Sequence, residues 1–342
     1  MKKIKVLVTG GTGYIGSHTV VELIQAGYEP LIIDNLGNSS AKILEQIEKI
    51  TGVLPVFYKL DLCDEKATLD FIQEHHIQNI IHFAAFKAVG ESVAEPLKYY
   101  HNNLYSLINL LEGYQNLALN LVFSSSCTVY GQPEVLPVSE QAPIKPAASP
   151  YGHTKQICED LLRSAAQVDQ QLNVSVLRYF NPVGAHASAL IGELPIGIPQ
   201  NLVPFITQTA IGKREKLTVF GKDYDTPDGT CIRDYIHVVD LAKAHVAALK
   251  ALEQKNAANY QVFNVGTGAG STVLQAIQAF EKVSAQPLNY EIGPRRPGDV
   301  EKVWGDVSKI KQELGWEAEL DLYEMMRSAW AWENYLKEHP II

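Results

Sequence analysis

The chain has 342 residues, of which 46% are hydrophobic and 20% are charged, and it contains 24 Gly and 17 Pro. These values are typical of a globular protein with a sizeable core, and they exclude a disordered, collagen-like or coiled-coil chain. Lys and Arg number 29 against 38 Asp and Glu, which gives a formal charge of −9, so a nucleic acid is not an expected partner.

Short β-branched runs alternate with helical patterns through the first half of the chain. The apolar residues in these runs are consecutive, which is typical of strands that are covered on both faces. We predict strands over Ile4–Val8, Leu31–Ile33, Pro55–Tyr58, Ile80–Phe83, Leu121–Phe123 and Val174–Leu177. Helices are predicted over Gly16–Ala26, Glu65–His75, Leu104–Tyr114 and Tyr151–Gln167, among others. Repeated β-α units of this kind predict an α/β fold with a doubly wound, Rossmann-type parallel sheet.

The β-α alternation stops after Asn181, and the stretch from Gly184 to Pro199 has no helical period. We therefore predict a nucleotide-binding domain over residues 1–181 and a smaller α/β substrate domain over residues 182–342. Segments within 236–265, namely Val238–Lys250 and Gln261–Val265, could return to the main sheet.

A glycine-rich loop follows the first strand directly, over residues 9–16 (TGGTGYIG), and it satisfies the spacing G-x-G-x-x-G. Glycines at this spacing permit a tight turn and a close approach of the backbone to a pyrophosphate at the helix N-terminus. Alone, such a loop can be only a turn, but its place between a strand and a helix favours a dinucleotide site.

Asp34 ends the second predicted strand, 18 residues beyond Gly16. A carboxylate at this place accepts hydrogen bonds from ribose hydroxyls and repels a 2′-phosphate, so NAD is favoured over NADP. The alternative is that Asp34 only caps a turn. Asp61, after the third strand, is the expected partner of the adenine amino group.

A Ser, a Tyr and a Lys form the candidate catalytic group. Ser126 follows the fifth strand, and Tyr151 comes 25 residues later with Lys155 at i+4 on the same helix face. An ammonium group near a phenol favours the phenolate, so we expect a lowered pKa for Tyr151 and a base suited to alcohol oxidation. A Tyr-x-x-x-Lys spacing also arises by chance on helices, but here the glycine-rich loop precedes it.

With these residues in view, the chain resembles the extended short-chain dehydrogenase/reductase family and, within it, the UDP-glucose 4-epimerases. The resemblance covers nearly the whole chain, and its later motifs are specific to the epimerases. Its motifs are Val8–Thr19, Asp34–Leu36, His82–Ser92, Ser124–Gly131, Arg178–Ala185, Asp228–Val238 and Arg295–Asp299.

The resemblance implies that Tyr151, Ser126 and Lys155 are catalytic, and it implies a larger set of binding residues. Of the three catalytic residues, Tyr151 and Ser126 would contact both ligands, and Lys155 would contact only the cofactor. The expected NAD contacts are Gly10, Gly13, Tyr14, Ile15, Gly16, Asp34, Asn35, Asn38, Ser39, Asp61, Leu62, Phe83, Ala84, Lys87, Asn102, Ser126, Tyr151, Lys155 and Phe180. The expected UDP-sugar contacts are Lys87, Ser126, Tyr151, Asn181, Asn201, Leu202, Phe220, Arg233, Arg296, Asp299 and Val303. Arg233 and Arg296 suit a diphosphate because guanidinium binds phosphate oxygens in a bidentate way.

The activity implied is the NAD-dependent interconversion of UDP-glucose and UDP-galactose through a transient 4-ketose. The alternative is another nucleotide-sugar epimerase or a 4,6-dehydratase of the same family. The dehydratases carry Asp-Glu just after the serine or threonine of the fifth strand, whereas this chain has Cys127 and Thr128. A redox-sensing binding protein on the same fold would lack the Tyr and Lys that are present here.

The remaining expectations concern surroundings and partners. No apolar run reaches the 18 residues of a membrane-spanning helix, and the apolar start of the chain breaks at Thr9, too early for a signal peptide. The four cysteines are scattered without a Cys-x-x-Cys pair, so we expect a cytoplasmic protein without a metal site. The resemblance implies a homodimer paired through the helices Leu104–Tyr114 and Tyr151–Gln167.

The sugar range is expected to depend on Val303. In the epimerase pattern a bulky Tyr at this place restricts the enzyme to glucose and galactose, while a small residue leaves space for a 2-acetamido group. We therefore expect activity on UDP-N-acetylglucosamine and UDP-N-acetylgalactosamine beside the main activity. The alternative is that Val303 only packs in the core.

Overall fold

The protein is described by a computed structural model that covers residues 3–115, 117–254, 259–296 and 299–341. Pro297 and Gly298 of the last motif lie outside the described residues. The strands are β1 (Lys5–Thr9), β2 (Glu29–Asp34), β3 (Val56–Lys59), β4 (Asn79–His82), β5 (Leu119–Ser124), β6 (Leu172–Tyr179), β7 (Asn181–Val183), β8 (Leu217–Phe220), β9 (Ile232–Arg233), β10 (Tyr235–His237), β11 (Tyr260–Val265), β12 (Ser271–Thr272), β13 (Tyr290–Gly293) and β14 (Lys302–Val303). The helices are α1 (Tyr14–Gln25), α2 (Ile43–Thr51), α3 (Glu65–His75), α4 (Val89–Ala94), α5 (Pro96–Gly113), α6 (Pro150–Val168), α7 (Leu202–Ala210), α8 (Val238–Leu252), α9 (Val273–Ser284), α10 (Ser308–Leu314) and α11 (Leu322–Glu338).

The main sheet has seven strands in the order β11-β6-β5-β4-β1-β2-β3. Every pairing in it is parallel. The doubly wound parallel sheet is therefore confirmed. Gln261–Val265 lies in β11, which pairs with β6 at one edge of this sheet. All six strands predicted in the first half are present: β1, β3 and β4 have the predicted length shifted by one residue, and β2, β5 and β6 are three or four residues longer than predicted.

Both faces of this sheet are buried, which explains the consecutive apolar residues of its strands. Val6 and Val8 of β1 contribute to the core on one face, where α1 and α8 pack against each other. Leu7 points to the other face, where α3, α5 and α6 provide the cover. The helix termini follow local rules: α6 begins with Ser149 as its N-cap and Pro150 at the first helical position.

The C-terminal part of the chain forms smaller sheets, in which β7 pairs with β10, β8 with β13, and β9 with β12 and β14. Helices α9 and α11 pack together over a separate core that includes Phe280 and Met326. Helices α8 and α10 instead pack at the main sheet, α8 against β5 and β6 and α10 against β11. The division of the chain at residue 181 stays a prediction.

The fold determines where a ligand can bind. The carboxyl ends of parallel strands meet at one edge of a sheet, and in open α/β folds ligands bind outside that edge. The ends of β1, β2, β4, β5 and β6 lie there, and the loops that follow them face the C-terminal elements across a cleft of about 1160 Å³. Among the described helices, none is both long enough and apolar enough to cross a membrane.

Candidate active site

The glycine-rich loop joins β1 to α1 with almost no free space around it. Gly10 has a φ of +69°, and a Cβ at this position would lie 2.9 Å from the backbone nitrogen of Ala84. A Cβ on Gly16 would lie 2.2 Å from the carbonyl oxygen of Gly10. Gly13 is the N-cap of α1 and has no side chain to cover the helix N-terminus. The loop thus presents backbone N–H groups to the cleft, which fits a pyrophosphate.

Asp34 is buried at the end of β2, and its carboxylate is fixed by its neighbours. Oδ2 accepts a hydrogen bond from the Thr12 backbone N–H at 3.2 Å. Oδ1 accepts from the Leu36 backbone N–H at 2.9 Å and from the Ser39 hydroxyl at 3.1 Å. Asp34 therefore holds the turn, as the alternative predicted, and it also lines the cleft, where its contact with a ribose stays a prediction.

Asp61 lies two residues beyond β3 in the same part of the cleft. Its Oδ2 accepts from the Asn35 amide at 3.1 Å and its Oδ1 from the Cys63 backbone N–H at 2.9 Å. Carboxylate acceptors at the ends of two adjacent strands, next to an uncapped helix N-terminus, fit a dinucleotide with free ribose hydroxyls.

Ser126 lies directly beyond β5, at the start of a short 3₁₀ helix (Cys127–Tyr130). Its Oγ accepts hydrogen bonds from the backbone N–H of Thr128 at 3.2 Å and from the Thr128 hydroxyl at 3.0 Å. A hydroxyl oxygen has two lone pairs and one proton. Because Thr128 occupies both lone pairs, the proton of Ser126 is the part of the group that can interact with a substrate oxygen.

Tyr151 and Lys155 lie in the first turns of α6 and are both buried, with exposed fractions of 7% and 4%. The Lys155 ammonium donates a hydrogen bond to the carbonyl oxygen of Ser124 at 2.8 Å and lies 4.9 Å from the centre of the Phe123 ring. The end of β5 and the start of α6 thus lie side by side, with Ser126 in hydrogen-bond contact with Tyr151 and Lys155 bound to Ser124.

The acidity of Tyr151 differs from the sequence prediction. Burial raises the pKa of Tyr151 well above 10, the neighbouring Tyr179 raises it further, and the Ser126 hydroxyl acts in the opposite direction. Burial also lowers the pKa of Lys155 to about 8. The direction of this shift contradicts the prediction of a lowered phenol pKa: desolvation is its largest cause, and the Lys155 ammonium is bound to the Ser124 carbonyl oxygen.

Arg233 and Arg296 lie on the opposite wall of the cleft, and both contact Asp299. The Arg233 Nη2 is 3.5 Å from Asp299 Oδ1, and Arg296 donates to both carboxylate oxygens at 2.7 and 3.1 Å. Arg296 also lies 5.7 Å from the centre of the Phe220 ring, which is 41% exposed. Asp299 thus orients two guanidinium groups, and no sequence spacing indicated its pairing with Arg233.

Most of the predicted binding residues line this one cleft. They are Gly10, Gly13, Tyr14, Ile15, Gly16, Asp34, Asn35, Asn38, Ser39, Asp61, Leu62, Phe83, Ala84, Lys87, Asn102, Tyr151, Lys155, Asn181, Asn201, Arg233, Arg296, Asp299 and Val303. Ser126 is flanked by the lining residues Ser124 and Cys127. Leu202 begins α7 and is half-buried. Phe180 is buried under the lining, in one apolar cluster with Val303.

Two further polar residues in the cleft were missed by the sequence analysis. Tyr179 accepts a hydrogen bond from the Ser124 hydroxyl at 3.0 Å, and burial raises its pKa to about 12. The sequence did contain a signal for Tyr179, because this residue ends β6 and belongs to the motif Arg178–Ala185 of the resemblance. Glu193 lies in an irregular loop and pairs with Lys87 at 3.0 Å. No sequence pattern distinguished it from a surface glutamate.

Comparisons with known proteins agree with this geometry. A family model described as GDP-mannose 4,6 dehydratase matches residues 7–329. A UDP-glucose 4-epimerase of Bacillus subtilis (strain 168) is 51% identical over 330 residues, which cover 96% of each chain.

Solved structures show the same likeness over the whole fold. A crystal structure of a UDP-glucose 4-epimerase from Stenotrophomonas maltophila, with bound NAD and formylated UDP-arabinopyranose, has a TM-score of 0.94 and 48% identity, covering 98% of this chain and 99% of that one. A structure of the Bifidobacterium longum enzyme in complex with NAD⁺ and UDP has a TM-score of 0.92 and 46% identity, with the same coverage.

Proposed function

The chain belongs to the UDP-glucose 4-epimerases of the extended short-chain dehydrogenase/reductase family, and on this premise we propose that it uses NAD to interconvert UDP-glucose and UDP-galactose. It is an enzyme, and its solved relatives hold NAD with UDP or a UDP-sugar. The observation that carries the proposal is that Tyr151 and Lys155, with Ser126 next to the lining residue Cys127, share one cleft with the glycine-rich loop and the arginine pair.

The catalytic residues have separate roles in this proposal. Tyr151 as phenolate takes the proton of the 4-hydroxyl group, and Ser126 donates its own proton in a hydrogen bond to the same oxygen. Lys155 binds the nicotinamide ribose and its positive charge favours the phenolate. NAD, when bound, would accept the hydride from C4 and give the hydride back to the 4-ketose. Burial raises the pKa of Tyr151 and so opposes its role as a phenolate, whereas positive charge near the phenol favours it.

Epimerisation also requires the 4-ketose to present its other face before it is reduced. In this proposal Arg233 and Arg296, which both contact Asp299, hold the diphosphate, and Phe220 beside Arg296 contacts the base. The hexose would lie near Val303, which belongs to an apolar cluster with Val129, Val138 and Phe180. The two arginines would hold the diphosphate by ion pairs, whereas the surface near the sugar is apolar. The sugar can therefore rotate while the nucleotide stays bound.

The 4,6-dehydratase alternative lacks its acid and base in this chain. Elimination of water across C5 and C6 needs two such groups near the sugar, and the family places Asp-Glu directly after the strand-five serine or threonine. Cys127 and Thr128 stand there instead. Burial raises the pKa of the Cys127 thiol to about 12, and the Thr128 hydroxyl donates to Ser126. Neither group can replace a carboxylate.

The proposal is tested by a product assay without added NAD. The purified chain is incubated with UDP-galactose, and the products are separated by chromatography. We expect UDP-glucose to form, since a cofactor that is regenerated in every turnover remains bound. Formation of a 4-keto-6-deoxy sugar would identify a dehydratase, and an unchanged substrate with bound NAD present would contradict the proposed function.

We extend the proposal to a cytoplasmic homodimer, as expected from the sequence. All four cysteines lie within the described residues and are unpaired, which suits a reducing compartment. The outer face of α5 exposes Leu97 to 81% and Tyr105 to 52%, two turns apart, an apolar stripe that a second copy would cover. Analytical sedimentation should give the mass of a dimer. The double variant Leu97→Glu, Tyr105→Glu should sediment with a lower mass than the wild type. Val135→Glu, at an exposed loop residue, is the control.

A further inference from the structure

Glu193 connects the two sides of the cleft through a single carboxylate oxygen. Its Oε1 accepts a hydrogen bond from the Lys87 ammonium at 3.0 Å and another from the Asn201 amide Nδ2 at 2.6 Å. Lys87 belongs to the loop after β4 of the main sheet, while Asn201 is the N-cap of α7. Both residues are assigned to ligand binding above, and Glu193 is not.

The backbone around Glu193 is held in place by α11. The indole Nε1 of Trp332 donates to the Glu193 carbonyl oxygen at 2.8 Å. A Cβ on the preceding Gly192 would lie 2.5 Å from the ring of Trp332, and Trp332 itself is 3% exposed. The carboxylate therefore extends from a fixed point, although it lies in a loop.

The contact also determines how Asn201 faces the cleft. An amide side chain has a donor end and an acceptor end. Because one Nδ2 hydrogen is bound to Glu193, the orientation of the amide is fixed, and the carbonyl oxygen Oδ1 and the second Nδ2 hydrogen remain for a ligand. Lys87 is constrained in the same way: its side chain is 49% exposed, whereas that of Glu193 is only 11% exposed, so the carboxylate limits the positions open to a flexible ammonium group.

We propose that Glu193 is a positioning residue that orients Asn201 for the UDP-sugar and Lys87 for the cofactor. The proposal rests on the function assigned above, since it takes Asn201 and Lys87 as ligand contacts. Glu193 itself touches neither ligand in this scheme. Through its shared oxygen it places the two contacts in a fixed relation across the cleft.

A surface ion pair is the plain alternative, and such pairs contribute little. The geometry argues against it, because Glu193 is nearly buried, its backbone is fixed by a core tryptophan, and both of its partners line the cleft. Lys243 and Glu319 provide the contrast: they lie at the same distance of 3.0 Å, but the Glu319 side chain is 68% exposed and lies outside the cleft lining.

The experiment is a pair of double-mutant cycles, which separate action through a partner from independent effects. Glu193→Ala is introduced into the wild-type and the Asn201→Ala background, and the dissociation constant of UDP is measured by calorimetry. The same change in the wild-type and the Lys87→Met background is followed by the NAD retained per chain. Glu193→Gln keeps an acceptor oxygen, and Glu319→Ala is the matched control.

We expect Glu193→Ala to weaken UDP binding about tenfold in the wild-type background, the lower range for a hydrogen bond that involves a charge. In the Asn201→Ala background the factor should fall below about two, and the second cycle should show the same loss of effect on NAD. KM for UDP-galactose should rise with little change in kcat, and Glu193→Gln should recover part of the UDP affinity.

The proposal is overturned if Glu193→Ala has the same effect in both backgrounds of either cycle, if Glu193→Gln is no better than Glu193→Ala, or if Glu319→Ala gives the same loss. A melting temperature near that of the wild type shows that the variants are folded. The wild-type product assay is independent of these cycles, so failure of the positioning role leaves the proposed function standing.

Discussion

The two sides of the cleft are built in different ways. On the cofactor side, glycines and a buried carboxylate are fixed by backbone atoms: a Cβ on Gly16 would meet the Gly10 carbonyl oxygen at 2.2 Å, and Asp34 accepts from two backbone N–H groups. On the nucleotide-sugar side, Arg233 and Arg296 are held by the Asp299 side chain, and the Arg296 side chain is 55% exposed.

This difference has a functional meaning. A site made of backbone and buried groups is fixed before a ligand arrives, which suits a cofactor that stays bound through many turnovers. A site made of ion-paired side chains can exchange Asp299 for a diphosphate, which suits a substrate that enters and leaves. The comparison predicts that substitutions on one side change the binding of one ligand and leave the other unchanged.

The largest effect is expected where the two sides meet, at Tyr151. Tyr151→Phe removes the hydroxyl and keeps the buried ring, so the fold should remain intact. We expect kcat to fall by about 10²–10⁴-fold, the range for the loss of a general base. Both NAD content and UDP affinity should stay near those of the wild type, because the ring remains and each ligand keeps its other expected contacts.

The matched control for Tyr151→Phe is Tyr290→Phe, since the Tyr290 ring is 40% exposed on β13 and lies outside the lining of the cleft. Near-normal turnover in Tyr151→Phe would refute the assignment of Tyr151 as the base. A loss of UDP affinity of similar size would instead make Tyr151 a binding residue and weaken the division of the cleft.

The cofactor side is tested by Asp34→Ala. Removing the carboxylate should weaken NAD binding by roughly 1.5–3 kcal/mol, the value of hydrogen bonds to a charged group, and it should relieve the rejection of NADP. UDP affinity should not change. Titration of the cofactor-free protein with NAD, NADP and UDP measures all three quantities, with Asp160→Ala on the exposed face of α6 as the control. Unchanged NAD affinity would mean that Asp34 serves only the turn.

The nucleotide-sugar side is tested by Arg233→Lys, which keeps the charge and removes the planar fork. Lysine cannot bind two phosphate oxygens in a bidentate way, so we expect UDP binding to weaken about tenfold with no loss of NAD. Calorimetry with UDP and the NAD content per chain measure the two effects. Arg163→Lys, at an exposed i,i+3 pair with Asp160, should change neither; a loss of NAD in Arg233→Lys would contradict the separation.

The same difference explains what the sequence could predict. The partners of Asp34 lie 2, 5 and 22 residues away, so the cofactor side has a local pattern that spacing reveals. Asp299 meets Arg233 across 66 residues, and Glu193 meets Lys87 across 106. Such contacts depend on how the C-terminal elements fold against the main sheet, so the arginine pair was found only through the family resemblance.

Two predictions were wrong, the start of α5 and the direction of the Tyr151 pKa shift, and each error has a physical reason. Helix α5 begins at Pro96, eight residues before the predicted Leu104, because its first turns carry polar residues on a half-exposed surface. The direction of the Tyr151 pKa shift was wrong because spacing places Lys155 near the phenol but cannot show that its ammonium binds the Ser124 carbonyl. Burial and hydrogen-bond partners of a titratable group are properties of the folded chain.

The smallest expected effect concerns the sugar range and depends on Val303. This residue lines the cleft and also packs in the cluster that contains Phe180, so it can act as a gate and as core at once. Valine leaves more space than tyrosine, and we expect measurable epimerisation of UDP-N-acetylglucosamine at a rate below that of UDP-glucose. Val303→Tyr should abolish the N-acetyl activity and keep the glucose activity.

Measuring both activities in Val303→Tyr distinguishes a role of Val303 in sugar selection from a role in core packing. If Tyr at position 303 only disturbs packing around Phe180, both activities and the melting temperature should fall together, because overpacking a buried site costs about 1–3 kcal/mol. If it fills space beside the hexose, only the larger sugar is lost. Val303→Leu adds less volume and should reduce the N-acetyl activity by less than Val303→Tyr. If the wild-type protein never converts the N-acetylated sugar, Val303 has no such role in sugar selection. The proposed contacts of Arg233 and Arg296 with UDP would not be affected by that result.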